Sequence, residues 1–239
     1  MKILALGDTH GRNNWEEIVK NESNVDKIIF IGDYFDTHYD VSVEFQIENF
    51  KKILEYKKNN IDKVILLLGN HDFHYLKDAQ EHYSGFKSFK FTDINEILEP
   101  AVQSGLVITC YTHENYVFTH AGVTKSWCDN NDIDINNLEE SINQTLLVNP
   151  SAFRFSMGNN YDQSGNDVTQ SPIWVRIPSL LKDKLDNKVF VVGHTTLERL
   201  SIINNLIGID VLGTTGEYLV IENGTPIVKQ GPTNKDILK

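Results

Sequence analysis

Cysteine is scarce in this chain: only Cys110 and Cys128 occur among 239 residues. Two distant thiols cannot build the disulfide framework of a small secreted scaffold, and they lack the close pairing of a redox or zinc motif. Both are expected as buried thiols in a reducing cytoplasm. Basic residues are also in short supply, with 22 Lys plus Arg against 33 Asp plus Glu and a formal net charge of -11. Such a chain is not expected to grip nucleic acid non-specifically or to bind an anionic membrane, because both need phosphates neutralised by excess Lys and Arg. Long apolar runs are missing as well. Ile3 to Leu6 is a four-residue run cut off by Gly7-Asp8, far short of a signal-peptide core, and no later stretch approaches the roughly 18 apolar residues of a membrane span. A soluble, cytoplasmic protein is therefore expected. Without an export signal, the glycosylation-like triplets at Asn21, Asn143 and Asn223 carry no weight.

What is present suffices for a core: 40% of residues are hydrophobic and 23% charged, which excludes a disordered or fibrous chain. No repeat or linker divides the sequence, so one domain over residues 1–239 is expected. Short, β-branched, nearly all-apolar runs recur at Lys2 to Leu6, Lys27 to Ile31, Lys63 to Leu68, Tyr116 to Thr119 and Lys188 to Val192. Each ends in a polar or Gly-containing turn, as strands buried on both faces do. Between the second and third runs, Val43, Ile47, Phe50, Ile53 and Leu54 fall at helical spacing within Val41 to Asn60, followed by Lys57 and Lys58. Strand, helix, strand predicts an α/β fold with helices covering a sheet. From Arg199 to Val228, short segments punctuated by glycine predict antiparallel strands closing a sheet. Glu81 to Phe91, Asn130 to Asn137 and Asn149 to Ser171 read as irregular. Asp129 to Asp134 lacks the Gly and Glu positions of a calcium loop and reads instead as a cap for a helix over Ile135 to Leu147.

The chemistry lies just beyond the apolar runs. The first run leads into Gly7-Asp8-Thr9-His10, the second into Gly32-Asp33-Tyr34-Phe35-Asp36, and the third into Gly69-Asn70-His71-Asp72. The later runs lead into His120-Ala121-Gly122 and Gly193-His194-Thr195. Loops at the carboxyl ends of strands gather on one edge of an α/β sheet, so these residues can converge. Carboxylate, imidazole and amide oxygen are ligands suited to borderline divalent ions. Asp8, His10, Asp33, Asn70, His120 and His194 are too many for one tetrahedral ion and fit two ions sharing a carboxylate. The glycines would let the backbone approach such ions without a Cβ clash.

In this order, the five motifs resemble the calcineurin-like metallophosphoesterase superfamily, from Met1 to about Val228. The resemblance implies a two-sheet β-sandwich flanked by helices and two divalent ions, manganese foremost, with iron or zinc as alternatives. It also implies that Asp8, His10 and Asp33 hold one ion, that Asp33, Asn70, His120 and His194 hold the other, and that Asp33 bridges them. His71 would protonate the leaving oxygen, with Asp36 fixing its ring. Such a pair of ions, about 3.5 Å apart, acidifies a shared water and clamps phosphoryl oxygens, so no phospho-enzyme is required.

At the last motif Thr196 stands where many diesterases carry a second His. Together with Ser171 to Arg176, this makes the chain similar to the phosphoprotein phosphatase and symmetrical diadenosine-tetraphosphatase branch, in which Arg176 would bind substrate phosphate. The branch has arginines where Thr37 and Leu68 stand here, leaving Arg176 with help from Asn70 or His38. Tyr34, Phe35, Tyr39, Tyr75 and Trp174 are candidates to line a pocket, while His74, His82 and His113 read as ordinary polar residues. The expected activity is metal-dependent hydrolysis of a phosphomonoester, phosphoprotein-type, or of a dinucleoside polyphosphate. The alternatives are a diesterase acting on cyclic nucleotide or nucleic acid and a catalytically silent interaction scaffold. Complete ligand positions argue against the scaffold.

Overall fold

The computed structural model describes residues 1–37, 41–155, 162 and 164–233. The first three apolar runs form strands β1 (Lys2–Leu6), β2 (Lys27–Phe30) and β3 (Val64–Leu67). They lie parallel and are separated by helices α1 (Trp15–Asn21) and α2 (Val43–Asn59). Helix α2 starts where the Ser42 side chain accepts from the Phe45 amide, and it ends where buried Lys57 donates to the carbonyls of Ile61 and Val64. After the short helix α3 (Asn70–Phe73) comes α4 (Phe91–Gln103), which the sequence reading did not identify. Strand β4 (Val107–Ile108) then extends the sheet beside β3.

The second sheet begins with β5 (Cys110–His113) and β6 (Tyr116–Thr119). Helices α5 (Lys125–Asn130), α6 (Leu138–Val148) and α7 (Ile177–Asp183) precede β7 (Val189–Val192), parallel to β6. The helix expected over Ile135 to Leu147 starts as a 3-10 turn at Ile135–Asn137 and becomes α-helical at Leu138. Asp134 caps that turn by accepting from the Asn136 amide. Glu81 to Phe91 and Asn149 to Ser171 each contain a 3-10 turn, at Ser88–Lys90 and Pro150–Phe153.

The tail departs from expectation. Its four strands do not close one sheet but form two hairpins that join different sheets. β8 (Ser201–Ile203) and β9 (Leu206–Gly208) extend the second sheet, with β9 parallel to β7; β10 (Glu217–Glu222) and β11 (Thr225–Gln230) extend the first through β1. Turn residues mark a hairpin but do not say which distant strand it pairs with. The sheets are six-stranded, β11-β10-β1-β2-β3-β4, and five-stranded, β5-β6-β7-β9-β8.

Period-two alternation explains the nearly continuous apolar runs. Ile3, Ala5, Ile29, Ile31 and Leu67 pack against Phe118, Val191 and Ile207 between the sheets, while Leu4, Leu6, Ile28, Phe30 and Leu66 join the cluster beneath the helices. The result is a mixed α/β sandwich flanked by helices. Cys110 and Cys128 are buried free thiols within it. Among the described residues, no helix is long and apolar enough to cross a membrane.

Candidate metal centre and its hydrogen-bonded frame

The segments after β1, β2, β3, β6 and β7 meet at one edge of the sandwich. The His194 amide donates to Asp8 Oδ2 at 3.0 Å, and the His71 amide to Asp33 Oδ1 at 2.9 Å. Such contact of a carboxylate with a neighbouring backbone demands glycine: a Cβ on Gly69 would stand 2.1 Å from Asp33 Oδ1, and one on Gly193 1.9 Å from Asp8 Oδ1. Four residues of this cluster have left-handed backbones, His10 (φ 44°), Asp33 (φ 54°), Asp36 (φ 60°) and His194 (φ 61°). Each is a conformation of low population that the surrounding structure must impose.

Much of that imposition comes from Asp72, for which the sequence reading found no role. Its buried carboxylate accepts from the amides of Asp33 (2.8 Å), Tyr34 (2.8 Å) and Gly69 (2.9 Å), stitching the loop after β2 to the start of α3. An acidic side chain at the third position of a helix, reaching back to the residue before it, is a legible capping signal. Burial, then the Asp33 charge, push the Asp72 carboxyl up to about 8 despite these donors.

Three imidazoles are oriented by backbone carbonyls. His10 Nδ1 lies 2.8 Å from the Phe35 carbonyl, His120 Nδ1 2.9 Å from that of Ile31, and His194 Nε2 3.0 Å from that of Trp174. A carbonyl can only accept, so each of these nitrogens carries a proton, and the other nitrogen of each ring turns inward, where it can offer a lone pair to an ion. His120 Nε2 then faces Asn70 Oδ1 at 3.1 Å and Asp33 Oδ2 at 3.3 Å, His194 Nδ1 faces Asn70 Oδ1 at 2.9 Å, and His10 Nε2 faces Asp33 Oδ2 at 3.7 Å. Asp8 Oδ1 is buried there without a hydrogen-bond partner. Acceptors crowded together in this way repel one another unless a cation lies among them, and Asp8, Asp33 and His120 bring ligand atoms within 4.8 Å of one another. The donor set fits divalent ions.

The electrostatics carry the same imprint. Burial and the neighbouring Asp210 hold Asp8 well above the usual carboxylate range. Burial would also raise Asp33, but the charges of His120 and His71 outweigh it and hold its carboxyl well below that range. Burial pushes His10 down to about 4 and lowers His194 strongly, with Arg176 adding to the latter. His120 goes the other way, because Asp33 and Asp8 overcome burial and raise it to about 10. In the absence of ions, a proton on this ring offsets the carboxylates.

Beside this centre, His71 Nδ1 lies 3.2 Å from Asp36 Oδ2, and its ring is 5.3 Å from that of His10. Arg176 donates to the carbonyls of His194 (2.8 Å) and Ser164 (3.1 Å), with its guanidinium 5.4 Å from the Trp174 ring centre. Thr196 donates to buried Asp210, another residue the sequence reading missed. Asn70 is wholly buried, and its Nδ2 has no partner. Of the aromatic candidates, Tyr34, Phe35 and Tyr75 belong to the core; Trp174 stacks near His194 and against Tyr83. Tyr39 and His38 lie outside the described residues. A cavity of about 460 Å³ between the end of α4, β5 and α6 is remote from these groups, and its Asn143 and Glu139 are already bonded to backbone.

The family model for calcineurin-like phosphoesterases matches residues 1–212. A search of curated protein sequences returns no match. The fold is similar to that of a cold-active protein-tyrosine phosphatase from a Shewanella species, with a TM-score of 0.60, 19% identity, and coverage of 96% of this chain and 77% of that one. A protein serine/threonine phosphatase from Saccharomyces cerevisiae gives 0.58 at 12% identity, covering 97% and 79%. A metallophosphoesterase from Sphaerobacter thermophilus gives 0.50 at 14% identity, covering 97% and 88%. With its motifs at the strand ends and a family match over most of its length, the chain belongs to the calcineurin-like phosphoesterases and is a metal-dependent phosphoester hydrolase.

Proposed function

We propose that the protein hydrolyses phosphomonoesters, of the phosphoprotein type, or dinucleoside polyphosphates, in the cytoplasm. Asp8, His10, Asp33, Asn70, His120 and His194 would hold two ions between them, with Asp33 shared and manganese the preferred metal. The observation that supports this most is the orientation of three imidazoles, each donating its outer proton to a carbonyl and turning its other nitrogen toward Asp33 or Asn70. Ions held by these residues would supply positive charge against the phosphoryl oxygens and acidify a water.

The remaining work falls to side chains. The Arg176 guanidinium, held by the His194 carbonyl, offers paired donors to phosphoryl oxygens, and the unpartnered Asn70 amide adds another. His71 Nε2 gives a proton to the ester oxygen as its bond to phosphorus breaks, while water adds to phosphorus. Asp36 keeps the other His71 proton on Nδ1. The products are an alcohol or phenol and inorganic phosphate from a monoester, or two nucleotides from a dinucleoside polyphosphate.

The test is turnover of p-nitrophenyl phosphate beside bis-p-nitrophenyl phosphate with added Mn²⁺, for the wild type and Arg176→Ala. The monoester is expected to be the better substrate, with a raised KM in the variant and unchanged metal content. Preference for the diester would move the protein to the diesterase reading, and unchanged kinetics in the variant would remove Arg176 from the site.

A further inference from the structure

His74 has no part in the chemistry described above, yet it is among the most completely enclosed polar residues, its side chain fully buried. It follows α3, three positions after His71, so the two rings share a face and lie 5.8 Å apart. The rings of Tyr75, Tyr83 and Phe86 enclose it on other sides. Its Nε2 lies 2.5 Å from Asp36 Oδ2, the oxygen that also faces His71 Nδ1 at 3.2 Å. The other Asp36 oxygen accepts from the Tyr75 hydroxyl at 2.7 Å, and that hydroxyl in turn accepts from the Lys87 amide.

Asp36, His71 and His74 bring ligand atoms close enough together to suggest a further metal site. The Tyr83 amide decides against it. That amide donates to His74 Nδ1 at 3.0 Å, so Nδ1 presents a lone pair and the ring proton sits on Nε2, which lies against Asp36 Oδ2 without the alignment of a hydrogen bond. Binding a cation through Nε2 would move the proton to Nδ1, directly against the Tyr83 N–H. The cluster is therefore a chain of polar contacts running from Tyr83 through His74 and Asp36 to His71.

We propose that His74 is a positioning residue for the phosphoester hydrolysis, acting on His71 through Asp36. Asp36 has a left-handed backbone and a nearly fully buried carboxylate. A carboxylate in that setting takes a single orientation only when donors hold both oxygens. Tyr75 donates to one, while the other faces His71 Nδ1 and is pressed by Nε2 of the His74 ring. So fixed, Asp36 Oδ2 keeps the His71 proton on Nδ1 and leaves Nε2 facing the ester oxygen. Without the His74 contact, Oδ2 is held only by the His71 ring that it is meant to orient, so the pair can swing together and His71 loses its aim. The proposal rests on the reading of His71 as the group that protonates the leaving oxygen.

Two monoesters separate a positioning role from a structural one. Phenyl phosphate releases an oxygen that needs a proton, whereas 2,4-dinitrophenyl phosphate releases a stable anion. In His74→Asn the amide oxygen can still accept from Tyr83, but the side chain is too short to reach Asp36. In His74→Gln the amide nitrogen stands near the Nε2 position and can donate. For the full-length chain with Mn²⁺, His74→Asn is expected to lose about tenfold to hundredfold in kcat on phenyl phosphate. Its KM, metal content and rate on the dinitrophenyl ester should remain close to wild type, and His74→Gln should recover most of the loss. Equal losses on both esters, or no loss on either, would overturn the proposal. Should the Asn variant fail to fold, a selective loss on phenyl phosphate in a folded His74→Gln protein would overturn it too. His71→Asn is the control: a selective loss there without one in His74→Asn removes only His74, whereas no selective loss in His71→Asn removes the reading of His71 and the proposal with it.

Discussion

Asp33 carries several loads at once. Its backbone is left-handed, its amide donates to Asp72, and its two carboxylate oxygens face the His71 amide and the rings of His10 and His120. His71 touches the same carboxylate only through its amide, with its ring turned to Asp36. The two residues should therefore fail differently. Asp33→Ala is expected to lose bound metal and activity together, whereas His71→Ala keeps the metal and loses about 10²- to 10⁴-fold in rate. Metal analysis beside kinetics reads both, and normal activity in both variants would dissolve the assignment. The metal-ligand candidates were visible in the sequence because ligand-type residues directly follow apolar runs. Asp72, His74, Tyr83 and Asp210 were not, since a buried polar residue that only holds other groups in place leaves no spacing pattern and is recognised by its partners.

At the scale of elements, the loop after β2 and the start of α3 behave as one unit tied by the Asp72 carboxylate. Asp72→Asn keeps the size but puts an amide donor against backbone donors. Leaving buried amides unmatched costs about 1–3 kcal/mol each, so a clear drop in melting temperature and weaker metal retention are expected. A thermal melt and metal titration indistinguishable from wild type would show that the loop holds its shape without Asp72. Strands β1, β2, β3, β6 and β7 were legible because strands buried on both faces show unbroken apolar runs, whereas the short β4 and the half-buried β5 were not identified. Helix α4 was missed behind an irregular lead-in and an internal Pro100, and the tail hairpins could be recognised but not assigned to their sheets. Pairing with a strand far away in the chain depends on the whole sandwich, which local pattern does not carry.

Over the whole molecule, the edge where the five loops meet concentrates buried charge that ions would balance. Without ions, the native state holds protons that the unfolded chain lacks. His120, raised from its usual value to about 10, remains protonated above pH 6.5 when folded. Asp8 and His71 are displaced in the same direction. The unfolded chain binds fewer protons in this window, so rising pH favours unfolding there. The lowered groups His10, His194 and His74 oppose this only at the lower end of the window, where their unfolded rings are still partly protonated, and their effect fades as pH rises. Metal-free protein is thus expected to melt at a lower temperature near about pH 8 than near about pH 6.5, with Mn²⁺ reducing the difference. A metal-free melting temperature that rises across that interval would contradict the charge balance described here.

The most direct measurement strips the protein of metal with a chelator, removes the chelator, and follows p-nitrophenyl phosphate hydrolysis as Mn²⁺ is titrated back against bound-metal content. The account predicts no turnover in the stripped protein and activity that saturates as two ions bind per chain. Full turnover without metal, or saturation at a single ion, would contradict it.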